Sequence, residues 1–161
     1  HGTLEIPGAA ACLRELPARG YAVAIASGDW EMTARHKLSA AKIPFERLPA
    51  AFCESAHART EIMLTALERA ARYYQCQEFE RIVYVGDGVW DVRACRALGW
   101  PFVGVGAGEQ AARLRSLGTS QVIKGYAPLE DFIAAVEQAT VPSLPDALQR
   151  GEPQPKLRDS E

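Results

Sequence analysis

The chain is poor in the residues that build disulfide or zinc frameworks. Its four cysteines, Cys12, Cys53, Cys76 and Cys95, are scattered with no CxxC pair. That excludes the common zinc spacings and a disulfide scaffold, and reads as reduced thiols of a cytosolic protein. Excess charge of either sign is missing too. With 18 Lys and Arg against 20 Asp and Glu, the net charge is −2, so nucleic-acid binding driven by bulk charge is not expected. Long apolar runs are also lacking. The longest, Tyr21 to Ala26, falls far short of the roughly 20 residues that span a bilayer. No cationic stretch followed by an apolar one opens the chain, so no signal peptide is expected. There is no internal repeat and no low-complexity core segment. An initial Met is absent, and the chain opens His1-Gly2-Thr3.

What is present suits one domain with a real core: 161 residues, 48% hydrophobic and 24% charged. Helical and strand patterns alternate along it. Ala9 to Leu16 has apolar residues at helical spacing and is stopped by Pro17 and Gly20. Tyr21 to Ala26 reads as a strand buried on both faces. Asp29 to Lys42 reads as a helix with Ser27 to Asp29 offering a cap. Ala50 to Cys53 is a short strand. Thr60 to Tyr74 is the clearest amphipathic helix, with Ile62, Leu64, Leu67, Ala70 and Ala71 on its apolar face. Arg81 to Val85 is a second buried strand, followed by a helix over Asp91 to Leu98 that ends at Gly99. Phe102 to Val105 and Gln121 to Ile123 are further strands. Glu109 to Leu117 and Leu129 to Ala139 are further helices. Strands joined by helices imply a mostly parallel sheet. Residues 141–161, carrying Pro142, Pro145, Pro153 and Pro155, read as a flexible tail beyond a core over 1–140.

In such sheets ligands sit beyond the carboxyl ends of the strands, so those positions carry the functional candidates. Ser27-Gly28-Asp29 follows the first strand. A hydroxyl, a glycine and a helix start can bind a phosphate there, or Ser27 or Asp29 can simply cap the helix. Gly86-Asp87-Gly88-Val89-Trp90-Asp91 follows the second. Its two acids can hold a hard divalent cation such as Mg²⁺, or serve as a turn residue and a helix cap. Between them, Arg59 can reach a phosphate as a fixed cation, with His57 as its competitor, or be a solvated basic residue. Gly104-Val105-Gly106-Ala107-Gly108 has GxGxG rather than GxGxxG spacing and reads as a tight loop. Trp30 and Trp90, just past two strand ends, are expected to pack against the sheet rather than line a pocket.

The ordered series Ala26-Ser27-Gly28, Arg59 and Val85-Gly86-Asp87-Gly88-Val89-Trp90-Asp91 resembles the haloacid dehalogenase-like (HAD) hydrolase superfamily. Pro7-Gly8 before the first helix, Ala97-Leu98-Gly99 and Phe102-Val103-Gly104-Val105 are similar to the family as well. The resemblance runs over roughly residues 1–139 and implies a three-layer, doubly wound, Rossmann-like α/β core. It implies that Ser27, with Gly28, binds the phosphoryl group, that Arg59 or His57 offsets its charge, and that Asp87 and Asp91 hold Mg²⁺.

One motif of that family is absent. No Asp-x-Asp occurs anywhere in the sequence. In the family this motif supplies a nucleophilic Asp and a general acid/base. Gly2-Thr3-Leu4 is similar to the stretch that follows it. The resemblance therefore implies that a first strand and a helical cap precede His1, and that this strand lies between Tyr21–Ala26 and Arg81–Val85. Without it the two strands lose their shared neighbour, which predicts poor stability or self-association. The expected activity is that of a cytoplasmic, Mg²⁺-dependent phosphatase of a small phosphorylated metabolite, inactive in this chain alone. The alternatives are a non-catalytic phosphate- or metal-binding relative, and a haloacid dehalogenase, which would not need the acid pair.

Overall fold

In the computed structural model, which describes residues 5–143, the apolar runs lie side by side as short parallel strands with helices over both faces. The elements in chain order are α1 (Ala9–Glu15), β1 (Ile25–Ala26), α2 (Glu31–Ala40), β2 (Ala50–Ala51), α3 (Arg59–Tyr73), β3 (Tyr84–Gly86), α4 (Val89–Leu98), β4 (Phe102–Val105), α5 (Gly108–Ser116), β5 (Gln121–Ile123) and α6 (Leu129–Gln138). Short 3₁₀ turns at Leu16–Arg19 and Cys53–Ser55 follow α1 and β2. Among the described residues no helix is long and apolar enough to cross a membrane. The Gly2-Thr3-Leu4 stretch and residues 144–161 of the expected tail lie outside the described residues.

Side-chain alternation along the strands sorts the helices into two layers. Tyr84 and Phe102 point to one face, where they pack with Met63 of α3, Val92 and Cys95 of α4 and Leu114 of α5. Val85 and Val103 point to the other, against Phe132 and Ala135 of α6. Ile25 joins α1 on that second face, while Ala26 packs toward α3. This is the three-layer α/β arrangement that the alternation predicts.

The sheet is in two pieces. β1 pairs with β2, Ile25 opposite Ala50 and Ala26 opposite Ala51. β3 pairs with β4, and β4 with β5, all parallel. No ladder joins β1 to β3 among the described residues. This shortens two expected strands. Of Tyr21–Ala26 only Ile25–Ala26 is laddered, and of Arg81–Val85 only Tyr84 and Val85, with Gly86 added. A strand is recognised by its partner, and residues 21–24 and 81–83 have none at the right place. At Val23 a side chain does that work. Tyr74 Oη accepts the Val23 N–H at 3.0 Å and donates to the Val23 carbonyl at 2.9 Å.

Other boundaries shift for local reasons. α2 starts at Glu31, and neither Ser27 nor Asp29 caps it. The Glu31 N–H is instead bonded to Glu54 Oε1 at 2.8 Å, an acceptor from the far side of β2. The buried face of α3 is Ile62, Met63, Ala66 and Ala70, whereas Leu64 is exposed. α4 ends where expected, because Gly99 adopts φ 69° and turns the chain out of the helix. The packed region also runs past residue 140. Pro142 is fully buried, and its carbonyl accepts Arg96 Nε at 3.1 Å.

Two thiols lie in these cores. Burial pushes the Cys12 thiol up to about 11 and the Cys95 thiol up to about 12. Alkylation needs a thiolate and access. Iodoacetamide at pH 8 is therefore expected to leave Cys12 and Cys95 unmodified in the folded chain and to modify both in denaturant, as peptide mass mapping would report. Labelling of either at the same rate in both states would mean that these cores open freely.

Candidate functional site

The carboxyl ends of β1 and β3 open onto one cleft of about 660 Å³. It is lined by Ser27, Gly28, Arg59, Asp87 and Trp90, with His57 and Lys37 at its walls. Sequence-distant residues meet here because β1 and β3 end on the same side and because α3 and α4 begin there. The helix starts bring unpaired N–H groups to the same place.

Ser27 leaves β1 and turns the chain sharply. Its Oγ accepts the Asp29 N–H at 3.2 Å, which leaves the hydroxyl proton to donate into the cleft. Asp29 does not face α2 as a cap, since its carboxylate pairs with Lys37 Nζ at 2.9 Å. Gly28 lies under the Arg59 guanidinium. A Cβ at position 28 would stand 3.3 Å from Arg59 Nη1, so the absence of a side chain there lets the cation close over the loop.

Arg59 is the first residue of α3. Its Nε stands 3.0 Å from Asp91 Oδ1. The pair is mostly withdrawn from water, with side-chain exposures of 20% for Arg59 and 4% for Asp91. Arg59 Nη1 is buried and has no hydrogen-bond partner. A buried guanidinium N–H without an acceptor beside an open cleft is a donor available to an anion. His57 lines the same cleft but is exposed. The structure therefore brings Arg59, rather than His57, into contact with Asp91.

Asp87 and Asp91 take different positions. Asp87 is exposed at the exit of β3, and its carbonyl accepts Gln110 Nε2 at 3.2 Å. Asp91 lies in the first turn of α4 and is buried. Its Oδ2 accepts the Gly88 N–H at 3.1 Å, which ties down the loop carrying Asp87. Desolvation pushes the Asp91 carboxyl above its usual range, against the opposing pull of Arg59. Asp91 Oδ1 makes no well-directed hydrogen bond.

Among the described residues no three His, Cys, Asp or Glu side chains gather as a metal cage. Of the two acids only Asp87 lines the cleft, while Asp91 Oδ1 is turned to Arg59 Nε at 3.0 Å. The chemistry of the Asp87 wall suits a cation that takes one or two carboxylates and completes its shell with water and phosphate oxygens, the habit of Mg²⁺.

Two residues near the cleft were missed by the sequence pattern. Lys37 stands two turns along α2 from Asp29, a spacing that does place an ion pair on one side of a helix start. Gln110 arrives from α5 and has no local signature. The glycines around it form the tight loop expected, with two residues between β4 and α5. Trp30 and Trp90 are not packed on the sheet. They are 66% and 57% exposed, and Trp90 lines the cleft.

Parallel strands under two helical layers, with a cleft at the carboxyl ends, define an α/β protein of the Rossmann-like kind. A haloacid dehalogenase-like hydrolase family model matches residues 2–99, and the chain belongs to that family. Ser27, Arg59, Asp87 and Asp91 all fall within the match. A general hydrolase function goes with that membership. No curated protein sequence matches the chain.

Proposed function

We propose that the cleft binds the phosphoryl group of a small phosphorylated metabolite, and that the chain carries the phosphoryl- and metal-binding part of a cytoplasmic HAD-type phosphatase. One observation supports this above others. Arg59, with its buried and unpartnered Nη1, shares a cleft with Ser27, Gly28 and Asp87. Ser27 donates its hydroxyl proton to a phosphoryl oxygen. Arg59 offsets the charge that builds on the phosphoryl oxygens as the bond to the leaving group breaks. Asp91 acts through others, holding Arg59 by charge and the Asp87 loop through Gly88. Mg²⁺, held by Asp87 with Asp91 supporting it, would neutralise phosphate charge and orient the attacking group when bound. The two acids favour this reading over a dehalogenase, which has no need of them.

The sequence contains no Asp-x-Asp, so the family's usual nucleophile is not supplied by these residues. The 161-residue chain is therefore expected to bind phosphate without turning over a phosphate ester. Calorimetric titration with inorganic phosphate and Mg²⁺, beside a p-nitrophenyl phosphate assay, tests both parts. Charge-assisted hydrogen bonds are worth about 1.5–3 kcal/mol each, so Arg59→Ala is expected to weaken phosphate binding by about 10- to 100-fold. Ser27→Ala removes one neutral donor, a loss of about fivefold. Phosphate binding that is absent, or indifferent to both substitutions, would overturn the phosphoryl reading. Turnover by this chain would overturn the argument about the nucleophile.

A further inference from the structure

The cleft at the carboxyl ends of β1 and β3 is larger than a phosphoryl group needs. Its volume of about 660 Å³ lies in the range of pockets that enclose a whole small molecule. The side formed by Ser27, Gly28, Arg59 and Asp87 is polar. Among the described residues, Trp90 is the one large apolar side chain that the cleft exposes, with more than half of its surface open. Ile62 lines the same cleft but is buried. A tryptophan exposed on a convex surface is ordinary. Trp90 instead shares a concave wall with Arg59, whose Nη1 has no partner.

Two local devices put the indole there. Trp90 is the second residue of α4, and long side chains on a helix lean back toward its start. Gly88 lies in the path of that lean. The ring covers it so closely that a Cβ at position 88 would run into Cε2 and Nε1 of the indole. The missing side chain lets the ring lie against the loop that carries Asp87. Charge narrows the ligand further. Arg59 and Lys37 are the Lys and Arg side chains that line the cleft. Lys37 is already answered by Asp29 at 2.9 Å, whereas Arg59 keeps Nη1 free. Among the described residues the cleft therefore offers one place for an anion and, on the same wall, one aromatic surface.

We propose that the phosphoryl group bound here is carried on a flat aromatic or heteroaromatic ring, and that Trp90 selects this ring by packing against it. The inference rests on the phosphoryl reading of the cleft and adds the substrate class. A ring laid on indole gains apolar burial and also the offset-stacked or edge-to-face attraction of aromatic pairs. A saturated group of equal size gains the burial alone. A second phosphate or carboxylate on the substrate would meet only the Lys37 that Asp29 already neutralises. Two kinds of phosphomonoester carry such a ring. An aryl phosphate has it directly on the ester oxygen, and a nucleoside monophosphate has it one sugar away.

Calorimetric titration of the full 161-residue chain in Mg²⁺ tests this, because binding can be read without turnover. Each ring ligand is compared with a partner that lacks the aromatic ring: phenyl with cyclohexyl phosphate, and adenosine 5′-monophosphate with ribose 5-phosphate. At least one ring ligand is expected to bind about fivefold more tightly than its partner, the worth of an aromatic pair beyond its burial. The pair with the larger ratio identifies the source of the ring. Trp90→Leu should bring that ratio to about one, and Trp90→Phe should keep part of it. Trp30→Phe changes an equally exposed tryptophan that does not line the cleft, and should leave the ratio as it was. The comparison of each ring ligand with its partner uses the unmodified protein and stands even if a variant does not fold. Ring ligands no tighter than their partners would overturn the inference. So would a preference that survives Trp90→Leu in full, or one that Trp30→Phe abolishes. If inorganic phosphate still binds in those cases, the phosphoryl reading stands and the substrate class alone is wrong. If neither phosphate nor any ester binds, both readings fall.

Discussion

Asp91→Ala is expected to lower stability by about 3 kcal/mol, at the lower end of what breaking a buried ion pair costs. The carboxylate holds two groups that have no substitute. Arg59 already has one guanidinium nitrogen, Nη1, without a partner. Removing Asp91 leaves Nε uncompensated as well, in a place where the charge is only one-fifth exposed. The Gly88 N–H loses its acceptor at the same time. A domain stable by about 5–15 kcal/mol feels such a loss as a large fraction of the whole. The comparison is Glu130→Ala. It breaks an ion pair with Arg19 at 2.6 Å, a shorter contact, but both partners there are widely exposed. That change should cost less than about 1 kcal/mol. Burial decides the difference, not distance. Replacing Arg59 and Asp91 together by Leu should recover much of the loss, because two desolvated charges vanish together. Urea unfolding with an unchanged slope measures all four proteins. A cost for Asp91→Ala no larger than that of Glu130→Ala would show that water reaches the pair, and the withdrawn Nη1 that supports the phosphoryl reading would lose its meaning.

The parts of the fold that local pattern determines were legible. β4 and β5 fall on the expected residues because both lie beside a strand that completes their ladder. α4 ends at a glycine that takes a left-handed turn. The parts that depend on a distant partner were not legible. Residues 21–24 have the composition of a buried strand, yet among the described residues no strand is laddered to them. Nothing in Ser27 to Asp29 tells that the helix start is capped from Glu54. The face of α3 was misjudged because Leu64 is more apolar than Ala66, whereas closeness to β1 and β2 selects the smaller residue. At the cleft, the candidate acids and the cation were visible as types at strand ends and helix starts. Their coupling was not. Spacing along the chain cannot say that Arg59 lies against Asp91 rather than Asp87, nor that His57 stays exposed at the cleft wall. The gap in the sheet was expected from a missing neighbour. The cavities on its two faces, and the Tyr84 Oη bond to the Ala26 carbonyl across it, arise from packing between distant segments that no local pattern carries.

Gly86→Ala is expected to disturb the site as much as the loss of Asp91, although alanine is the smallest possible addition. A Cβ at position 86 would stand 2.5 Å from Asp91 Oδ2 and 3.0 Å from Asp91 Cγ and Tyr84 Cε1. The oxygen it meets is the one that holds the Gly88 N–H. It cannot move without releasing the Asp87 loop, and the strand cannot move without leaving β4, to which Gly86 is paired opposite Gly104. Overpacking of this kind costs about 1–3 kcal/mol by itself, and the displaced carboxylate adds part of the ion-pair loss. Gly88→Ala gives the opposite result for a steeper clash. The Trp90 ring that its Cβ would meet is more than half exposed and can swing away, so its cost should stay within about 1 kcal/mol. The test of cause is the double variant. If the methyl acts by pushing Asp91 aside, then Asp91→Ala removes its target. Gly86→Ala with Asp91→Ala should then be more stable than the sum of the single losses by about 1–2 kcal/mol, a coupling of the size found for residues in contact. Strict additivity would mean that the glycine serves the strand and not the carboxylate. The order of a strand exit, a glycine without room for a methyl and a buried acid would then be a matter of sheet packing alone. Coupling would place Gly86 among the residues that hold the site, since its missing side chain leaves space for the acid that positions both the loop of Asp87 and the cation of Arg59.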